Sequence, residues 1–87
     1  MVDKTLTFSE VKWRYLTISW EISDLFPDAG TRIRIKIGGK IIEARINKRK
    51  RIRSTELFKI LKPKMGYVLS IQKRNNGTYE IFLKRTQ

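Results

Sequence analysis

Apolar and polar residues alternate with a period of two along most of this chain, the repeat expected of strands with one buried face. The cleanest case is Thr31-Arg32-Ile33-Arg34-Ile35-Lys36-Ile37, followed by Gly38-Gly39. Paired glycines supply the positive φ values of a tight hairpin turn, so the chain should return through Lys40–Ile46. A two-residue loop sets Ile37 opposite Lys40, Ile35 opposite Ile42, Ile33 opposite Ala44 and Thr31 opposite Ile46. The other face pairs Lys36 with Ile41, Arg34 with Glu43 and Arg32 with Arg45. Every apolar pair except the one beside the turn falls on one face, which selects this register. On the outer face Arg34 and Glu43 should form a cross-strand ion pair, while Arg32 and Arg45 are like charges that want an anion.

Upstream, Leu16, Ile18, Trp20 and Ile22 alternate with Thr17, Ser19 and Glu21, which predicts a half-buried strand over 16–22. Continued backwards, its polar side presents Trp13 and Tyr15, and Leu6 with Phe8 reads as a short edge strand or a tether. Pro27 and Gly30 punctuate a loop over 24–30, with Leu25 and Phe26 tucked inward. Further on, Ser54 can cap a short helix carrying Leu57, Phe58, Ile60 and Leu61, stopped by Pro63. Pro63-Lys64-Met65-Gly66 reads as a turn. A second hairpin runs through 67–74 and 78–84 around Asn75-Asn76-Gly77. A two-residue loop there would leave Gln72 facing Ile81. A three-residue loop with Gly77 left-handed instead aligns Ile71 with Ile81 and Leu69 with Leu83, and is preferred. Phe82 then lies on the opposite face; Phe82 and Tyr79 either stack on bases or are buried, with burial the favoured reading for both.

These elements predict a mainly β fold with one short helix: a small, partly open β-barrel of two hairpins plus an N-terminal strand. Barrel closure would hide the strand edges that an isolated meander exposes. At 87 residues there is room for one domain, read as 13–87 behind an N-terminal segment of 1–12.

Charge changes the picture. The formal net charge is +12, and it is concentrated. Residues 1–28 carry three Lys/Arg against five acids, residues 29–53 carry ten against Glu43 alone, and residues 54–87 carry seven against two. Within that middle, Arg45-Ile46-Asn47-Lys48-Arg49-Lys50-Arg51-Ile52-Arg53 places six cations in nine residues. So much like charge on one small module is self-repulsive unless a polyanion neutralises it. Ile46 and Ile52 should anchor the run at both ends, which favours a presented arm over a loose, merely solubilising loop. Nucleic acid is the expected partner, with Arg32, Arg34, Lys36, Arg45, Lys48, Arg49, Lys50, Arg51 and Arg53 on its phosphates. Asn47 has two readings, an adenine-edge reader or a turn former. Trp13 and Tyr15, beside Lys12 and Arg14, either stack on bases or are covered, by 5–10 or by another protein.

Candidate chemistry is sparse. Without cysteine or histidine, the chain lacks disulfides, thiolate metal sites, the commonest general base and the commonest nitrogen ligand. Pro27-Asp28 ahead of Glu43-Ala44-Arg45 superficially resembles a metal-nuclease pattern. Arg45, however, replaces the usual Lys and cannot give up a proton. Neither cofactor nor metal is expected, and the reading is non-catalytic. No apolar run approaches a membrane span, so a cytoplasmic protein, nucleoid-associated if prokaryotic, is the expectation. High Ile, Lys and Arg content suits a thermophile or an AT-rich genome, and a homodimer is left open.

The order Leu25-Phe26-Pro27-Asp28-Ala29-Gly30, the Ile33–Ile37 strand, Gly38-Gly39-Lys40, the basic arm and Leu57-Phe58…Leu61…Gly66-Tyr67-Val68-Leu69-Ser70-Ile71 resembles the DNA-binding pseudobarrel family. That family includes plant transcription-factor recognition domains and the target-recognition domains of certain restriction endonucleases. The resemblance implies a twisted open barrel gripping the major groove between two arms. Arg45–Arg53 would be the second arm, and the region around Trp13–Ser19 or the following loop the first. The family commonly has Gly-Asp where this chain has Gly66-Tyr67. The leading expectation is therefore a double-stranded DNA-binding module. RNA or single-strand binding, a sequence-independent architectural role and an adaptor for an acidic protein are the alternatives.

Overall fold

The β3–β4 hairpin organises the molecule. In the computed structural model, which describes residues 2–85, β3 (Arg32–Ile37) and β4 (Lys40–Arg45) pair antiparallel with the register read from the sequence, from Arg32 opposite Arg45 to Ile37 opposite Lys40. Hydrophobicity decides that register. Ile33, Ile35, Ile37, Ile42 and Ala44 are all buried on one face, and each fully buried isoleucine contributes roughly 1.5–3 kcal/mol. The like-charge Arg32–Arg45 pair costs only about 0.2–1 kcal/mol. The expected Arg34–Glu43 ion pair does not form, although the two residues are register partners. Ion pairs among the described residues are Lys4–Glu10, Arg74–Glu80 and Lys84–Asp3. Long exposed side chains in water gain too little from pairing to be held.

The second hairpin, β6 (Val68–Lys73) with β7 (Tyr79–Arg85), also has the expected register, with Ile71 opposite Ile81 and Leu69 opposite Leu83. Its three-residue loop closes through the Arg74 N–H on the Thr78 carbonyl (2.8 Å), with Gly77 left-handed at φ +85°. Leu83, expected in the core, and Phe82, for which the sequence favours burial, are 38% and 40% exposed. β7 runs parallel to β3 with Ile35 level with Tyr79, so β3 ends before Leu83 is reached and that half of β7 has a neighbour on one side only.

The N-terminal third departs most from the sequence expectation. The sequence pattern sets residues 1–12 ahead of the domain, but β1 (Val2–Thr5) pairs with β6 as a member of the main sheet. Phe8 belongs to no edge strand. It starts helix α1 (Phe8–Trp13), a second helix closed by a Thr7/Glu10 capping box. The strand expected over 16–22 shrinks to β2 (Tyr15–Thr17), which pairs with β5 (Arg51–Arg53). β5 is only three residues long, so after Ile18 donates to the Lys50 carbonyl the chain has no further partner. It turns through 19–22 into a 3-10 turn (Ser23–Leu25), burying Ile18 and Ile22 while Trp20 is left 82% exposed. Helix α2 (Thr55–Leu61) follows β5 with Ser54 accepting from the Leu57 N–H at 3.1 Å, as expected.

The strand order is β1-β6-β7-β3-β4 in one sheet and β2-β5 in another, and an isolated Ile46–Ile52 bridge joins β4 to β5. The result is a mainly β, partly open barrel around a core that includes Leu6, Leu16, Ile35, Ile52, Leu57 and Ile81. The opening lies between β1 and β2, and Glu10 spans it. Its buried carboxylate takes the Thr17 N–H at 2.8 Å and the Lys4 ammonium at 2.9 Å. Among the described residues no helix is long and apolar enough to cross a membrane.

Candidate nucleic-acid interface

Alternation puts the cations where they are. Because Ile33, Ile35 and Ile37 point inward, Arg32, Arg34 and Lys36 must line the outer face of β3, and all three are exposed. Arg45 lies across from Arg32 on β4. Arg45 and Arg53 also flank the Ile46–Ile52 bridge on the same side, and Tyr15 is the β2 partner of Arg53. A row Arg32, Arg45, Arg53, Tyr15 therefore crosses four strands. The Arg45 Nε donates to the Gly30 carbonyl at 3.2 Å, holding this side chain over the loop that precedes β3. Beside it, a shallow groove runs between Ala29-Gly30 and Arg45–Lys48.

The arm is a hairpin in its own right. The Asn47 N–H donates to the Arg51 carbonyl (3.0 Å), and Lys48, Arg49 and Lys50 form the exposed tip. Ile46 and Ile52 are wholly buried, so the expected anchoring is present. None of the ten Lys and Arg residues between 29 and 53 belongs to an ion pair among the described residues. Glu43 is the one acid in that stretch.

Of the alternatives left open by the sequence, Asn47 takes the turn-forming one and Tyr15 the covered one. Asn47 uses its Oδ1 to accept from both the Arg49 N–H (2.9 Å) and the Arg51 N–H (3.0 Å), so it shapes the loop. Reading an adenine edge would require breaking those bonds, because the same oxygen would have to accept from the base. Tyr15 is buried rather than exposed, because the Arg51 guanidinium lies over its ring at 4.4 Å. The two occupy each other's faces, which leaves the edge of Arg51 for a ligand and removes Tyr15 as a stacking platform. Trp13 is exposed, but it lies in the last turn of α1, two residues before β2, and not on a strand.

The same helix exposes Phe8, and the Lys12 ammonium sits 5.7 Å from the Phe8 ring and 5.1 Å from the Trp13 ring. The sequence reading of Phe8 as an edge strand or tether missed its meeting with Lys12 on one helix. The Thr7-x-x-Glu10 capping signature was the available signal, since a helix from Phe8 brings i and i+4 together. The alternating pattern also concealed the exposure of Trp20. Among the described residues no three Asp or Glu side chains gather as a metal-holding group.

Comparison with known proteins finds no match to this chain, whether among family models, curated proteins or solved structures.

Proposed function

We propose that this protein is a non-catalytic nucleic-acid-binding module that holds double-stranded DNA along the outer face of β3, β4 and β5 and the arm Arg45–Arg53. The observation that carries this reading is the cationic row: Arg32, Arg45 and Arg53 stand side by side across three strands, none of them in an ion pair among the described residues. A phosphate backbone neutralises them and releases counterions. Duplex is favoured over single strands because Tyr15, the aromatic in that row, is buried beneath the Arg51 guanidinium. Single-strand binders interleave cations with open stacking platforms. The resemblance to DNA-binding pseudobarrels leads to the same reading.

Anisotropy titrations with a random-sequence duplex at several salt concentrations test it. Log affinity should fall linearly with log salt, by about 0.9 per phosphate neutralised. Replacing Arg45 and Arg53 by Ala, or Lys48 and Arg49 by Ala, should weaken binding uniformly across sequences and reduce the slope by about 2. A flat salt dependence, or binding indifferent to both double variants, overturns the reading. Displacement of the duplex by a modest excess of single-stranded RNA would replace it with the single-strand alternative.

A further inference from the structure

The chain builds the same three-residue hairpin loop twice, and the two copies differ at their most demanding position. In the β6–β7 loop the Gly77 N–H donates to the Arg74 carbonyl (3.0 Å), and Gly77 is left-handed at φ +85°. At the arm's tip the Lys50 N–H donates to the Asn47 carbonyl (2.9 Å), and Lys50 is left-handed at φ +56°. This loop needs a positive φ at its third residue, where glycine is unstrained and a side chain with a Cβ is not. Gly77 satisfies that requirement without cost. Lys50 does not.

Arg14 and Lys62, the other non-glycine residues at positive φ, are helix C-caps whose N–H groups close on the Glu10 and Phe58 carbonyls. A cation there faces the negative end of a helix, which offsets part of the strain. No helix ends at Lys50. Its backbone is nonetheless held from both sides, because its carbonyl also accepts the Ile18 N–H at 2.8 Å. Lys48 and Arg49, by contrast, have negative φ. A strained residue fixed by its surroundings points to a role in binding.

We infer that Lys50 contacts a phosphate of the bound nucleic acid, and that a lysine stands in this left-handed position because the ligand requires its ammonium there. The inference rests on the binding reading above and singles out one cation among several. Its Cα is positioned before binding, so only the side chain has to be ordered on contact.

Lys50→Gly and Lys50→Arg test this, with Gly77→Lys as the internal control. Gly77→Lys should lower the melting temperature, reporting what a lysine costs at this loop position. Lys50→Gly should melt no lower than wild type, yet bind a duplex several-fold more weakly with a salt slope smaller by about 1. Lys50→Arg should retain affinity. If Lys50→Gly binds as tightly as wild type while Lys48→Ala/Arg49→Ala is impaired, the inference about Lys50 falls and the binding reading stands. A lower melting temperature for Lys50→Gly also overturns it, since the position would then not be strained. If wild type itself shows no salt-dependent binding, both fall together.

Discussion

Single side chains settle what several parts of the chain do. Tyr79 is buried, its ring stacks on Phe26 with centroids 4.7 Å apart, and its hydroxyl donates to the Leu25 carbonyl at 2.8 Å. One residue thus pins the loop ahead of β3 from the far hairpin, and this is why Leu25 and Phe26 turn inward as their apolar character implies. Burial raises the Tyr79 hydroxyl above the usual tyrosine value of 10.0 by disfavouring the phenolate. In the unfolded chain the group ionises near 10.0, while in the folded chain it stays protonated to higher pH. Its contribution to stability is therefore complete below about pH 10 and is lost as pH rises from there through the folded-state value. Tyr79→Phe should cost about 0.5–1.5 kcal/mol near neutrality through the lost hydrogen bond. The variant should also show a shallower alkaline loss of stability than wild type. Urea denaturation from pH 8 to about 11 checks both; parallel alkaline limbs would refute the assignment.

At the level of elements, the least conventional join is between β1, α1 and β2. These elements do not close the barrel by strand pairing. Glu10 bridges the opening with one carboxylate that caps α1 through the Thr7 N–H (3.0 Å), pairs with Lys4 on β1 and accepts from Thr17 on β2. Lys4 is itself nearly buried, its side chain 10% exposed. Glu10→Ala should therefore destabilise the protein by about 3–5 kcal/mol, since it strands a buried ammonium as well as removing the cap. Adding Lys4→Met should recover part of that loss, because the stranded charge is gone. A double variant no more stable than Glu10→Ala would show that the ion pair is not what holds the opening together. The arm is held differently. Two buried isoleucines fix its base and the Asn47 amide fixes its tip, so the cations between them are presented from an ordered hairpin.

The whole molecule carries a charge of +12, with ten cations against one acid between residues 29 and 53. Three ion pairs among the described residues relieve little of that repulsion, and none lies on the cationic face. Salt should therefore stabilise the free protein. Raising ionic strength from about 0.01 M to about 0.15 M shortens the screening length from roughly 30 to 8 Å, and the melting temperature should rise over that range. A duplex present at about 100 times its Kd should add roughly 2.7 kcal/mol by mass action. A melting temperature that falls with salt would mean that attractive pairs outweigh repulsion, contrary to the charge distribution seen here.

Much of this was legible in the amino-acid order. Gly38-Gly39 and Gly77 determined two hairpins and their registers, Ser54 and Pro63 bounded α2, and strict alternation put Arg32, Arg34 and Lys36 outside. Those features depend on turn chemistry and on period-two burial, which act over a few residues. Tertiary structure alone decided that β7 lies parallel to β3, that β1 joins the sheet, that Arg51 covers Tyr15 and that the strand over 16–22 stops short with Trp20 in water. Each of these depends on which distant segment supplies a partner, and a strand pattern extends only as far as its neighbour does. The cations were countable from the start, but their alignment into one row across β3, β4 and β5 exists only because the Ile46–Ile52 bridge brings the two sheets together.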